Sequence, residues 1–259
     1  MIAVDLDGTL FDSRSKISAQ NFKAIGKCRD KGIKVVIASA KPPLIVGRLA
    51  AKMKLDAAQI SYSGALIFKN YDEVILKLKI SKAQCLKIIK YCRQWDKGLT
   101  IGVSNGLLYY EKKHPYLKIV TNSGDKIAKV EDIASEEIIN DAIMFSLSGY
   151  ENDGFEDFLK NTLNFRTIKI VRGSPESLII FNGKADKFLA VRRIMETYGI
   201  SREELMAIGD SNNDFEMIQF AGMSIAMGNA VEDLKKIASH VVPDNDNSGV
   251  AYAINNYAF

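Results

Sequence analysis

The sequence predicts an α/β protein with a parallel-sheet core, built from both ends of the chain, and an α+β domain inserted between them. Three observations support this fold class. Apolar strand-like segments alternate with helical segments at both ends of the chain, as in βαβ units. Strand-like segments follow one another directly in the middle, which favours antiparallel pairing. Acidic residues follow two of the outer strands, at the edge where open parallel sheets bind ligands.

The N-terminal part of the chain begins the βαβ pattern. The apolar residues 1–6 predict a buried strand that ends in a turn. A helix is predicted over residues 18–31, since Ser18 can cap its start. The β-branched run 33–38 indicates a parallel strand covered on both faces, and a second helix is predicted over residues 42–53.

The middle of the chain is organised differently. A hairpin is predicted over residues 100–112, because Ser104, Asn105 and Gly106 form a turn signal between two strand-like segments. Two more strands are predicted within residues 168–181. The other elements predicted here are a strand over 142–148 and helices over 81–95 and 155–163. We therefore place the inserted domain at residues 81–183 and assign residues 1–80 and 184–259 to the core.

The C-terminal part returns to alternating strands and helices, which supports a core built from both ends of the chain. The predicted helices cover residues 187–198, 214–221, 231–238 and 249–257. The predicted strands cover residues 205–208, 224–227 and 240–242.

Composition is that of an ordinary globular protein, with 47% hydrophobic and 25% charged residues in 259 positions. A chain of this length can bury a core without disulfides or structural metals. The net charge of +4 is too small to predict a nucleic-acid partner, which needs clustered Lys and Arg. Cys28, Cys85 and Cys92 match no metal-ligand spacing and are expected to be buried thiols.

The N-terminal residues show no basic segment followed by an apolar stretch, so no signal peptide is expected. No apolar run approaches the roughly 20 residues of a membrane-spanning helix. We therefore expect a cytoplasmic protein with no membrane association and no obligate protein partner.

Acidic residues at strand ends are the most informative feature of the sequence. Asp5 and Asp7 follow the first strand, whereas Asp210 and Asp214 follow a strand near the C-terminus, and Ser39 ends a third strand. If these strands are neighbours, four carboxylates and a hydroxyl meet in one crevice. Such a cluster is unfavourable without a cation. Oxygen ligands and a phosphate-binding setting favour Mg²⁺.

Four segments together resemble the motifs of the haloacid dehalogenase (HAD) superfamily of phosphohydrolases. They are Asp5-Leu6-Asp7-Gly8-Thr9-Leu10, Ala38-Ser39-Ala40-Lys41-Pro42, Asp186-Lys187 and Gly209-Asp210-Ser211-Asn212-Asn213-Asp214. Each motif alone is a weak signal, but their order and strand contexts are specific. The resemblance implies a Rossmann-like, HAD-like core, with the inserted domain acting as a cap that sets substrate specificity.

Further stretches resemble the Cof-type subfamily, which carries a class IIB cap. They are residues 217–230, with Gly228-Asn229-Ala230 at their end, and Ser248-Gly249-Val250-Ala251. In addition, Ser61-Tyr62-Ser63-Gly64-Ala65 is similar to the Asn-Gly-Ala turn of this subfamily, with Ser63 in the place of the Asn.

The resemblance implies catalytic roles for two of the acids. Asp5 would attack phosphorus as an ionised carboxylate and form an aspartyl-phosphate. Asp7 would protonate the leaving oxygen and then activate the hydrolytic water. The resemblance also implies a Mg²⁺ ion held by Asp5, the backbone carbonyl of Asp7 and Asp210, with Asp214 as a further acid.

Five residues are expected to bind the substrate, four of them at its phosphate group. Ser39 would donate a hydrogen bond to it and Lys187 would supply a positive charge. The N–H of Gly8 and the side chain of Asn213 are the other expected phosphate contacts, and Lys41 is an expected contact elsewhere on the substrate. Without the resemblance, Lys187 would be interpreted as a solvated lysine at a helix start, since Lys184 is chemically equivalent and close by.

Three positions depart from the motifs. Lys41 stands where an Arg is usual and cannot make the bidentate contacts of a guanidinium. Phe188 follows the motif lysine in place of a Gly. Asn247-Ser248 replaces an acidic pair before Gly249. These departures bear on which substrate the protein binds and not on the reaction that it catalyses.

The expected function is a Mg²⁺-dependent phosphatase that hydrolyses a small soluble phosphomonoester, such as a sugar phosphate or similar metabolite, through an aspartyl-phosphate. Two alternatives stay open. A phosphomutase of the phosphomannomutase type would pass the same phosphoryl group to another hydroxyl. A catalytically silent regulator would bind a phosphorylated metabolite without turnover.

Overall fold

A computed structural model describes residues 1–70, 73–114, 117, 125–149, 154–163, 166–174 and 177–259. The chain divides into two compact units. The first contains Met1–Ala40, Val46–Val74 and Asp186–Phe259, and the second contains Lys41–Ile45 and Ile75–Ala185. The domain boundaries at residues 81 and 183 stay a prediction.

The described strands and helices are as follows. The strands are β1 (Ile2–Val4), β2 (Val35–Ile37), β3 (Gln59–Ser61), β4 (Leu66–Asn70), β5 (Glu73–Lys77), β6 (Gly98–Val103), β7 (Leu108–Tyr110), β8 (Ile127–Lys129), β9 (Ala142–Ser148), β10 (Ile168–Ser174), β11 (Ser177–Asn182), β12 (Met206–Gly209), β13 (Met223–Ala226) and β14 (His240–Val241). The helices are α1 (Ala19–Asp30), α2 (Pro43–Met53), α3 (Lys82–Gln94), α4 (Glu136–Ile139), α5 (Phe155–Thr162), α6 (Lys187–Tyr198), α7 (Phe215–Phe220), α8 (Glu232–Ile237) and α9 (Gly249–Tyr257).

The helices and strands predicted from the sequence all have counterparts, with ends that shift by a few residues. Five short elements were missed: β3, β4, β5, β8 and α4. Each has three to five residues, too few to show a periodic pattern.

The first unit contains a parallel sheet with strand order β14-β13-β12-β1-β2. All residues of β1, β2 and β12 are buried, as their continuous apolar character indicates. Because β1 lies between β12 and β2, these three strands are neighbours, which is the condition for their acids to meet. Their carboxyl ends therefore meet at one edge of the sheet.

Strand β3 lies next to β2 through a single parallel bridge between Ala38 and Ile60. It pairs antiparallel with β4. This hairpin was not expected, and its connection contains the turn at Tyr62–Gly64.

Helix α1 packs against α9 on the first unit. Ser18 caps α1 as predicted, with its Oγ accepting from the Asn21 N–H. The buried Asn21 side chain accepts from the Ala251 N–H at 2.8 Å, which joins the two helices. The hydroxyl of Ser248, one of the departures from the family motifs, lies 2.8 Å from the hydroxyl of Ser18.

The second unit is an α+β structure with a six-stranded sheet in the order β10-β11-β9-β6-β7-β8. Its pairs are antiparallel except for β7 with β8, which are parallel. The antiparallel pairing expected from the sequence is confirmed for the other pairs; the parallel pair at this edge was not expected, because β8 was not recognised.

Apolar side chains from α3, α4, α5 and the sheet form the core of the second unit. Cys85 and Cys92 belong to it, and Cys28 is buried in the first unit; all three are free thiols, as expected. Burial raises the pKa of Cys28 to about 11 and that of Cys85 to about 12. Trp95 packs against Phe155 and Phe158.

In the part of the chain that the structure describes, no helix combines the length and apolar character needed to cross a membrane.

Candidate active site

The loop after β1 carries Asp5 and Asp7 at the centre of the sheet edge. The Leu10 N–H donates to the Asp5 carbonyl, and the Phe11 N–H donates to the Leu6 carbonyl at 2.8 Å, so the chain turns immediately after the strand. Asp5 is 6% exposed, whereas Asp7 is exposed. The two acids of this motif therefore meet different environments, one dry and one open to solvent.

Gly8 allows this loop to approach Asp210. Its φ is +79°, and a Cβ atom at this position would collide with the Asp210 carboxylate. Only glycine fits such a backbone without strain. The neighbouring Thr9 is fully buried and donates from Oγ1 to Asp210 Oδ1 at 2.7 Å. Gly8 and Thr9, two adjacent residues of the loop, thus both lie against Asp210, which follows β12.

Lys187 is buried beside Asp5. Its Nζ lies 2.7 Å from Asp5 Oδ1 and 2.7 Å from Asp214 Oδ1. The lysine takes this place because Asp186 caps α6, accepting from the Leu189 N–H, and Lys187 is the first residue of the helix. Lys184 is exposed, so the structure distinguishes the two lysines that the sequence left equivalent.

Asp214 has hydrogen-bond donors at both carboxylate oxygens. Oδ1 accepts from Lys187, and Oδ2 accepts from the N–H groups of Asp210 and Ser211 and from the Ser211 hydroxyl. The side chain is fully buried. Asp214 therefore holds the lysine in place and fixes the backbone of the Asp210 turn.

Burial and mutual repulsion shape the charges of the cluster. Burial raises the pKa of the Asp5 carboxyl well above its usual range, although Lys187 opposes the shift. Burial also raises the pKa of Asp210. Burial alone would lower the pKa of Lys187, but the carboxylates of Asp5 and Asp214 hold it above its ordinary value. Three acids face one ammonium group, so the cluster lacks positive charge.

The donor set fits a hard divalent cation. Asp5, Asp210 and Asp214 each offer a carboxylate oxygen, and these three oxygens lie within 4.8 Å of one another. Oxygen-only ligands of this kind suit Mg²⁺, and a divalent ion would offset the repulsion among the carboxylates that Lys187 does not balance. The Asp7 carboxylate is not part of this group, and the expected contact of its backbone carbonyl with the metal stays a prediction.

The other predicted substrate contacts differ in their burial and in the unit to which they are assigned. Ser39 is fully buried at the end of β2, next to β1. Asn213 is exposed on the short turn Asn212–Asp214. Lys41 is assigned to the second unit, and its contact with the substrate stays a prediction.

Two asparagines that the sequence reasoning did not assign hold the loop after β1. Asn229 Nδ2 donates to the Gly8 carbonyl at 2.8 Å, and its Oδ1 accepts from the Asn245 N–H at 3.1 Å. Asn245 Nδ2 donates to the Phe11 carbonyl at 2.9 Å. The Gly-Asn-Ala stretch at residues 228–230 was the available signal.

Phe188, another departure from the motifs, packs its ring 5.0 Å from that of Phe220 on α7. The guanidinium of Arg192 lies 5.8 Å from the Phe188 ring. The side chain thus fills an apolar contact between α6 and α7.

Comparison with known proteins agrees with these motifs. The family model of haloacid dehalogenase-like hydrolases matches residues 2–254. The 5-amino-6-(5-phospho-D-ribitylamino)uracil phosphatase YcsE of Bacillus subtilis is 29% identical over 258 residues, which cover 99% of this chain and 95% of that protein. Phosphatase YwpJ of the same organism is 26% identical, with 97% of each chain covered.

Solved structures show the same architecture. A haloacid dehalogenase-like hydrolase from Bacteroides thetaiotaomicron superimposes with a TM-score of 0.92 at 29% identity, covering 98% of this chain and 97% of the other. A sugar phosphatase of HAD subclass IIB shares the fold, with a TM-score of 0.81 at 23% identity and coverage of 99% and 98%. The chain therefore belongs to the haloacid dehalogenase-like hydrolase family, in its Cof-type branch, and is a phosphatase.

Proposed function

We propose that the protein is a Mg²⁺-dependent phosphatase that hydrolyses a small soluble phosphomonoester through an aspartyl-phosphate. The observation that carries the proposal is the buried contact of Asp5 with Lys187, beside the carboxylates of Asp210 and Asp214. A carboxylate held next to a fixed ammonium and a divalent cation site is arranged to face an incoming phosphate dianion.

Asp5 is the proposed nucleophile. One of its carboxylate oxygens forms a bond to phosphorus while the bond from phosphorus to the ester oxygen breaks. The leaving alkoxide takes a proton from Asp7, which is exposed and therefore accessible to it. Water then attacks the phosphorus of the aspartyl-phosphate and gives its proton to Asp7. This second step releases inorganic phosphate and regenerates Asp5.

The residues proposed to hold Mg²⁺ are Asp5, Asp210, Asp214 and the backbone carbonyl of Asp7. When bound, the ion supplies charge that offsets the repulsion between carboxylates and phosphate. Lys187, already paired with Asp5 and Asp214, supplies a second and permanent positive charge.

The remaining phosphate contacts stay predictions from the sequence. Ser39 and the Gly8 N–H lie at the carboxyl edge of the sheet, which suits them to donate to phosphate oxygens. Asn213 is an additional donor on the exposed turn before Asp214. Lys41, two residues after Ser39 in the sequence, is an additional proposed substrate contact.

The substrate class is proposed to be phosphorylated sugars and polyols. YcsE and YitU of Bacillus subtilis, 29% and 27% identical to this chain, are named as phosphatases of 5-amino-6-(5-phospho-D-ribitylamino)uracil. A phosphorylated ribityl chain is therefore the first compound to test, followed by hexose and pentose phosphates.

The cytoplasmic location expected from cysteine usage also stays a prediction.

The test is a phosphate-release screen over such compounds with and without Mg²⁺. The Asp5→Asn variant and chelation by EDTA are the two controls, and we expect each to abolish turnover. Activity that survives in Asp5→Asn would contradict the nucleophile, and activity insensitive to EDTA would contradict the metal. Transfer of phosphate to a sugar hydroxyl, without free phosphate, would instead identify a phosphomutase. A Mg²⁺-loaded protein that binds these esters without turning them over would be a regulator.

A further inference from the structure

The turn that follows β3 has an unusual backbone. Tyr62, Ser63 and Gly64 have φ values of +50°, +53° and +92° in succession. Residues other than glycine rarely adopt positive φ, and a bulky aromatic residue does so least readily. The Tyr62 side chain is fully buried, so packing holds the conformation in place. Strained backbone of this kind persists where the surroundings impose it, often at functional sites.

The first contact of this turn is with Ser39. The Ser63 N–H donates to the Ser39 carbonyl at 3.0 Å, and the Ser39 N–H donates to the Ile60 carbonyl at 3.1 Å. Both backbone groups of Ser39 are therefore bonded to the segment that contains β3 and the turn. The direction of its hydroxyl depends on this backbone.

The second contact is with the start of α6. A Cβ atom on Gly64 would overlap the carbonyl carbon and oxygen of Asp186, so the two backbones touch directly. Asp186 caps α6 and immediately precedes Lys187. The turn thus supports the residue from which the buried lysine begins its path to Asp5.

We propose that the turn Tyr62–Gly64 is a positioning element, which sets the separation between the Ser39 hydroxyl and the Lys187 ammonium so that both groups bind one phosphate. This inference rests on the proposed function, because it takes both residues as phosphate ligands. Ser39 follows β2 and Lys187 begins α6, far apart in sequence, and the turn contacts the backbone of Ser39 and of Asp186, which precedes Lys187. Its left-handed geometry explains why a glycine stands at position 64.

The first experiment compares Gly64→Ala with Gly199→Ala. Gly199 ends α6, has a φ of +64° and has open space around it, so alanine there introduces backbone strain without a collision. The measurements are kcat, KM and the dissociation constant of inorganic phosphate for the Mg²⁺-loaded enzyme. We expect Gly64→Ala to weaken phosphate binding and to lower kcat/KM by about 10²-fold, as for an ångström-scale displacement. Gly199→Ala should lower thermal stability and leave the dissociation constant of phosphate and kcat/KM unchanged.

The second experiment varies Ser63 and remains informative if Gly64→Ala does not fold. Glycine and asparagine tolerate the left-handed region, whereas valine does not. Ser63→Gly and Ser63→Asn should therefore retain phosphate affinity, and Ser63→Val should weaken it. Equal phosphate affinity in all three variants would overturn the inference. Equal losses of phosphate affinity in Gly64→Ala and Gly199→Ala would also overturn the inference, since they would indicate general destabilisation.

The phosphate-binding measurement separates this inference from the proposed function. If the unaltered protein releases phosphate from no ester, the proposed phosphatase reaction fails. The dependence of phosphate affinity on the turn would still support the positioning role, and its absence would still overturn it.

Discussion

Lys187 donates from Nζ to Asp5 Oδ1 at 2.7 Å, and both side chains are less than a tenth exposed. The same ammonium group contacts Asp214 at 2.7 Å. The Lys187 ammonium therefore offsets the charge of the Asp5 carboxylate, which also lies beside the Asp210 carboxylate. This arrangement makes the lysine both a structural counter-ion and a candidate phosphate ligand.

Replacing Lys187 with Met should therefore destabilise the protein as well as abolish activity. The change leaves Asp5 and Asp214 buried without a counter-ion, and removal of one partner from a buried ion pair typically costs about 3–5 kcal/mol. We expect a decrease of that order in the free energy of unfolding at pH 8, measured by urea denaturation. The decrease should be smaller at pH 5, because the raised pKa of Asp5 lets a proton replace the missing charge.

Lys184→Met is the matched control for this prediction. Lys184 is exposed three positions earlier, and its loss should change neither stability nor turnover appreciably. Equal stability of the two variants at pH 8 would contradict the counter-ion role of Lys187.

Thr9→Val tests how the loop after β1 controls the metal site. Valine preserves the shape of the buried side chain but removes the hydrogen bond to Asp210. Hydrogen bonds to charged groups contribute about 1.5–3 kcal/mol, so we expect the dissociation constant for Mg²⁺ to rise by roughly tenfold or more. Isothermal titration calorimetry measures the change. Thr197→Val is the control: Thr197 is exposed on α6, so this variant should bind Mg²⁺ as the unaltered protein does. An unchanged dissociation constant for Mg²⁺ in Thr9→Val would contradict a role of the Thr9 hydroxyl in metal binding.

The acids at the strand ends could be predicted from the sequence because two local rules suffice. Acidic residues follow short apolar segments, and parallel strands bring such ends to one edge. The neighbouring order of β12, β1 and β2 then places Asp5 between the other two strand ends. In the same way, Ser18 precedes a helical segment and acts as its cap, a signal that depends only on adjacent residues.

The supports of the site could not be predicted in this way. Asn229 reaches the Gly8 carbonyl across 221 positions of sequence, and no periodicity indicates such a contact. The positive φ values of Tyr62 and Ser63 oppose the preferences of those residues, so tertiary packing alone determines them. The sequence does not show whether Lys184 or Lys187 belongs to the site, and only the capped start of α6 in the structure distinguishes them.

Mg²⁺ should stabilise the protein more at pH 8 than at pH 5. Asp5 and Asp210 have raised pKa values in the folded state, so without metal the folded protein binds more protons than the unfolded chain. Stability without metal should consequently fall as the pH rises from the ordinary carboxyl pKa, about 4, towards the raised values. Mg²⁺ competes with these protons and therefore binds more tightly at higher pH.

Differential scanning calorimetry at several pH values, with and without Mg²⁺, measures this effect. The increase in Tm at a fixed Mg²⁺ concentration should grow with pH and should largely vanish in Asp210→Asn. An increase independent of pH would show that Mg²⁺ binds elsewhere than at the buried acids.

Asn229→Ala should reduce catalysis more than it reduces stability. The Asn229 amide fixes the carbonyl of Gly8, directly between Asp7 and Thr9, and also accepts from Asn245. Its loss frees the loop in which the Gly8 N–H must meet the phosphate and the Asp7 carboxyl must reach the leaving oxygen. Each lost hydrogen bond has a net cost of about 1 kcal/mol. We expect kcat/KM to fall by about tenfold. Asn256→Ala, which removes an exposed contact with the Tyr252 carbonyl, is the control and should retain full activity. If Asn229→Asp, which keeps an acceptor for Asn245 but cannot donate to Gly8, is as active as the unaltered protein, the donor contact does not position the loop.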